Sequence, residues 1–165
     1  MSQRTRILVA IAAIVVIVGG VIGFDQLRRQ RQAASEPDLA PGAIPIYVDG
    51  KLTAGFVPDD LDQLEGASFV DDEEGKIQEG WLLRDVLLLY VDPDRLIPDT
   101  TITVSSSSRD ESVELTWAEV DNADNMVMLD LSGRGTLKLV SRGVAKLDVR
   151  DEWVQDTDRI DISRP

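Results

Sequence analysis

The 165-residue chain contains no cysteine and no histidine. Disulfides, thiolate nucleophiles, zinc sites of the usual kind and Ser/His or Cys/His catalysis are thereby excluded. Aromatic residues make up only 5%, and Trp81, Trp117 and Trp153 read as core or rim anchors rather than stacking platforms. Positive charge is also scarce, with 17 Lys and Arg against 30 Asp and Glu, a net −13. The deficit is uneven. Residues 1–31 hold five arginines and one aspartate, whereas residues 32–165 hold 12 basic against 29 acidic side chains, a net −17. So acidic a surface repels phosphate backbones and argues against a nucleic-acid partner. The length fits one domain with material for a genuine core.

Charge disappears altogether between Ile7 and Phe24, ILVAIAAIVVIVGGVIGF. At about 1.5 Å per residue this stretch is roughly 27 Å long, enough to cross a bilayer core of about 30 Å. A cleaved signal peptide is the alternative. However, the run exceeds the usual apolar region of about 7–15 residues, and Asp25-Gln26-Leu27-Arg28-Arg29 follows where small residues would mark cleavage. The expectation is a six-residue tail, a single uncleaved transmembrane helix over residues 7–24, and a polar linker over residues 25–43. Gly19 and Gly23 form one small-xxx-small pair, which also occurs as ordinary membrane-helix composition. Arg4, Arg6 and the amino terminus balance Arg28, Arg29 and Arg31, so charge counting does not orient the helix. Acidic domains translocate with little penalty.

The folded domain is expected over residues 44–165. Ile44, Ile46 and Val48 alternate up to Asp49-Gly50, the strongest short hairpin signal, and Lys51–Ala54 returns. Pro58–Leu64 reads as a short helix with Gly66 closing it, Ala67–Val70 as a strand, and Asp71–Gly75 as an acidic turn. Trp81–Tyr90, WLLRDVLLLY, reads as a helix buried on most sides, because Leu88 and Leu89 broaden its apolar stripe. Thr101–Ser105 and Ser112–Leu115 read as strands flanking a serine-rich turn. Thr116 and Glu119 match the capping box of a helix over Trp117–Asn122. Met126–Leu131 and Thr136–Val140 alternate around Ser132-Gly133-Arg134-Gly135, a Gly-rich hairpin turn. Arg159–Ile162 reads as a last strand. The predicted fold class is α+β, a strand-rich mixed domain with one buried helix, preceded by the transmembrane helix.

The runs GWLLRDVLLLYVDP (Gly80–Pro93), ITVSSSSRDESVELTWAEV (Ile102–Val120), MVMLDLSGRGTLKLVS (Met126–Ser141) and EWVQDTDRIDI (Glu152–Ile162) resemble the oxidoreductase molybdopterin-binding domain, the fold of sulfite oxidase and its bacterial relatives. The resemblance spans about Ile44–Ile162. It implies that fold and, because short cysteine-free versions occur in exported bacterial proteins, an extracytoplasmic domain on a single-pass anchor in the cell membrane. Catalytic relatives hold molybdenum through a cysteine thiolate, which this chain lacks. The family's Gly-x-Pro-Leu-Arg-Leu stretch is reduced here to Gly133–Ser141 without prolines.

Candidate sites are few. Gly133, Arg134 and Gly135 could form a backbone nest for an anion, with Lys138 and Arg142 near, or a plain hairpin turn. Asp121, Asp124 and Asn125 are the first choice for a Ca²⁺ site among the acidic runs, although none has EF-hand spacing. Ser105–Ser108 could present hydroxyls or simply make a turn. The expected function is noncatalytic, with no cofactor: a binding or assembly module that meets the bilayer through residues 7–24 and serves as an accessory subunit beside a membrane-protein partner. A pterin- or other anionic-cofactor-binding oxidoreductase component and a cation-dependent extracytoplasmic sensor or adhesion module are the alternatives.

Overall fold

Two positive backbone angles set the first hairpin. Asp49 (φ 51°) and Gly50 (φ 74°) both adopt left-handed conformations, the combination a two-residue turn needs to follow strand twist. They join β1 (Ile44–Val48) to β2 (Lys51–Phe56). The computed structural model describes residues 37–165. The tail, the expected transmembrane helix over residues 7–24 and linker residues 25–36 lie outside the described residues. Among the described residues no helix is long and apolar enough to cross a membrane. The compact unit begins at Pro37, and Leu39 already packs beside Gly55 of β2.

The remaining strands are β3 (Gly66–Val70), β4 (Ile77–Leu82), β5 (Thr101–Ser106), β6 (Glu111–Thr116), β7 (Met128–Leu131), β8 (Leu137–Val140) and β9 (Arg159–Ser163). They make a five-stranded sheet, ordered β2-β1-β9-β5-β6, and a four-stranded sheet, β3-β4-β7-β8. Every pairing is antiparallel except β1 with β9. The α+β, strand-rich class read from the sequence is the class observed. In the five-stranded sheet, Ile46, Ile102, Val104, Leu115, Ile160 and Ile162 face one buried core. Thr103, Glu114 and Asp161 alternate to the other side, where Arg159 lies 4.1 Å over the Tyr47 ring.

The main correction falls on Trp81–Tyr90. Only α1 (Leu83–Tyr90) is helical, while Trp81 and Leu82 complete β4 and pair with Leu129 and Met128. The helix is not buried on most sides. Leu83, Val86 and Leu87 face the core, but Leu88 and Leu89 are 41% and 42% exposed. An eight-residue helix packed on one side has room to bury only one stripe. The short helix over Pro58–Leu64 is instead a 3₁₀ segment over Pro58–Gln63, and Gly66 opens β3 rather than closing a helix. The capping box is formed as expected. Thr116 accepts the Glu119 amide and Glu119 accepts the Thr116 amide at 2.7 Å, starting α2 (Trp117–Asp121).

Gly80 fixes how β4 meets β7. A Cβ there would lie 2.0 Å from the Leu129 carbonyl oxygen and 2.8 Å from Asp130 Cα. No side chain fits between the two backbones.

Candidate functional site

Strand register divides the four-stranded sheet into two unlike faces. One carries Phe69, Gln78, Asp130 and Lys138. Lys138 Nζ lies 3.3 Å from Asp130, donates to Gln78 Oε1 at 2.7 Å, and sits 5.1 Å over the Trp153 ring. Gln78 in turn donates to Asp71 at 3.2 Å. Asp71 accepts the Glu74 amide at 2.8 Å and the Glu73 amide at 2.9 Å. These bonds, the Glu74 amide first, hold its carboxyl below its ordinary value against the opposing pull of burial. Trp153 closes the face and donates its indole N–H to the Leu147 carbonyl. Every polar group in this chain of contacts is answered, so it is a structural network.

The other face is the opposite case. Leu129, Leu137 and Leu139 are buried beneath the core, but towards β3 and β4 the sheet extends past its cover. Val70 and Ile77, direct cross-strand partners, are 55% and 64% exposed, and Leu131 is 44% exposed. Gly66, Ser68 and Gly80 floor a groove of about 390 Å³ between Trp81, Leu131 and Glu79. Its lining contains one carboxylate and no cation. Sequence reading missed this site because β4 itself was missed. Ile77, Glu79 and Trp81 share its outer face, and that alternation was the available signal.

The Gly133–Gly135 turn has the expected hairpin form. Gly135 (φ 79°) donates its amide to the Ser132 carbonyl at 2.9 Å, and the Arg134 amide reaches Ser132 Oγ at 3.3 Å. Two of the three amides a nest would offer are therefore engaged within the turn. The side of the turn lines a cavity of about 580 Å³ with Ser108, Thr136, Asp156 and Asp158. Asp156 accepts the Thr136 hydroxyl at 2.7 Å and the Arg109 Nε–H at 2.8 Å. Those two bonds, together with the nearby charge of Arg134, keep its carboxyl below the ordinary range. Arg134 thus faces carboxylates in its own cavity. Lys138 is committed to Asp130, and Arg142 lines a separate small pocket with Asp71 and Asp148, so the three cations do not converge. In the serine-rich turn, Ser107 bonds Asp158 through both its amide and its hydroxyl.

Asp121 and Asn125 have side chains engaged in local structure, whereas Asp124 is engaged through its backbone amide. Asp121 lies 3.8 Å from Arg84. The Asp124 amide donates to the Asn122 side chain, and Asn125 Nδ2 donates to the Glu119 carbonyl at 2.7 Å. The Asn125 carbonyl accepts the Ser141 hydroxyl and the Arg142 and Gly143 amides, which clamps the exit of β8. Among the described residues no three Asp, Glu, His or Cys side chains gather in a group that could hold a metal ion. The chain matches no protein-family model and no curated protein.

Proposed function

We propose that this protein is a noncatalytic binding or assembly module with a sulfite oxidase molybdopterin-binding-like fold, held at the cell membrane by residues 7–24. It serves as an accessory subunit of a membrane complex, with its domain on the extracytoplasmic side. The carrying observation is the exposed apolar group Val70, Ile77 and Leu131 on an otherwise acidic domain. Apolar side chains left exposed together on one sheet face, next to a groove that Leu131 lines, are the usual mark of a surface that meets another molecule. The lack of cysteine removes the family's molybdenum ligand and is consistent with recognition rather than redox work. Crosslinking in native membranes, then purification in mild detergent, tests the reading. A stoichiometric membrane-protein partner is expected, and a protein that runs alone overturns the proposal.

The cavity beside Arg134 and Gly135 favours a second reading, an anionic-cofactor-binding component. Molybdenum content and the fluorescence of released pterin from native protein decide between the two, and stoichiometric molybdenum would replace the first reading by the second.

A further inference from the structure

The two described sheets have four edges, and three are protected by recognisable means. β6 carries Glu111 and Glu114. β2 carries Lys51 and is irregular in register beside Ile46 and Tyr47. β8 is covered by the segment after Trp153, with the Leu139 amide donating to the Val154 carbonyl and the Thr157 amide to the Leu137 carbonyl. β3, reading Gly-Ala-Ser-Phe-Val, has no charge and no proline, and among the described residues no segment bonds its outer edge through the main chain. It borders the groove that holds Trp81, Leu131 and Glu79.

We propose that β3 and this groove accept an extended segment of a partner protein by strand addition, and that the segment alternates apolar side chains with lysine or arginine. The inference rests on the module reading given above and names the surface and chemistry of the contact. Main-chain bonding to β3 would place alternate side chains beside Gly66 and Ser68, small residues that line the groove. The surrounding charge selects a basic partner. Glu65 precedes β3, Asp72, Glu73 and Glu74 follow it beyond the buried Asp71, and Glu79 stands in the groove, while Lys76 and Arg150 both answer the same acid, Glu74. A second copy is disfavoured by the same charges. Antiparallel self-pairing centred on Ser68 brings the acidic run Asp72–Glu74 of each copy close to Glu65 of the other, like charges at both ends.

The test uses the full chain in mild detergent and a labelled peptide, acetyl-KLKVKLK-amide, followed by fluorescence anisotropy. Saturable binding is expected, with affinity reduced tenfold or more in Ile77→Asp and in Leu131→Asp. Both variants make the domain more acidic, so non-specific attraction of a cationic peptide would strengthen instead, and unchanged or tighter binding overturns the proposal. Concentration-dependent dimerisation that Ile77→Asp abolishes would also overturn it, in favour of a second copy. A photo-crosslinking residue placed at Ile77, and separately at Leu88, is then tested in native membranes. Crosslinks from position 77 support the proposal. Crosslinks from position 88 alone remove the groove but keep the module reading, and none from either position removes both.

Discussion

The two sheets solve the same packing problem differently. The five-stranded sheet puts aliphatic residues inward and polar ones outward in its central rows, Ile46-Ile160-Val104-Val113 and Val48-Ile162-Ile102-Leu115 against Tyr47-Asp161-Thr103-Glu114. The four-stranded sheet breaks that rule on both faces: it buries Gln78 and Asp130 and exposes Val70 and Ile77. A sheet concerned only with stability resembles the first. The second holds its polar residues by pairing and leaves apolar surface open at its β3–β4 side.

The contrast can be broken most forcefully at its centres. Ile160→Ala, at a fully buried position of β9, should cost about 3–4 kcal/mol through lost burial and a residual cavity. A loss below about 1 kcal/mol in urea unfolding would mean that the five-stranded sheet is not the stability centre. Gly80→Ala should cost about 3 kcal/mol, because the atoms it meets are Leu129 and Asp130 backbone rather than a movable side chain. Unimpaired folding of that variant would contradict the close approach of β4 and β7.

Lys138→Met should cost about 2 kcal/mol by leaving Asp130, 6% exposed, without its cation. Adding Asp130→Leu should restore most of the loss, and a double variant no better than the single one would show that the pair is not acting as a unit. Acidification should produce a smaller, graded effect. Asp71, Glu119 and Asp156 all have carboxyls held below their ordinary values of 3.8 for Asp and 4.5 for Glu. For Glu119, burial pulls upward, but the bonds to the Thr116 amide and hydroxyl and the proximity of Lys146 prevail. Groups lowered in the folded state contribute stability that is complete above those values and is lost as pH falls through the lowered ones. Stability should therefore decline as pH drops below about 4.5, and Asp156→Asn should flatten that slope. An equal slope in the variant would dismiss Asp156 as a contributor. Smallest of all, Ile77→Thr should change stability by no more than about 0.5 kcal/mol, since its side chain is 64% exposed.

Local chemistry made parts of this architecture legible. Asp49-Gly50 declares its hairpin because few other dipeptides accept two left-handed angles in succession. Thr116 and Glu119 declare their helix because the reciprocal bonds are three residues apart. β4 was hidden because Trp81 and Leu82 extend the apolar stripe of α1 and so read as its first turn. Buried Gln78 and Asp130 were illegible for a different reason, since their partner Lys138 lies far along the sequence from Gln78. At the candidate sites, the turn at Gly133–Gly135 was readable, but its cavity was not. Asp156 and Ser108 reach it from distant segments, and their charge and hydroxyl change what Arg134 can offer. The basic groups read as neighbours of that turn are separated by strand direction, which composition does not encode.

The parallel alignment of β9 beside β1 also governs the order of assembly. β9 occupies the middle of the five-stranded sheet, between one hairpin formed early in the chain and another formed halfway along it. Until that strand arrives, the two hairpins have no shared ladder and the aliphatic rows of Ile46 and Val104 face each other across a gap. Closure spans more than a hundred residues, an expensive loop to form. A ribosome would therefore release nearly the whole domain before its larger half could lock, leaving it dependent in the meantime on the surroundings into which it emerges.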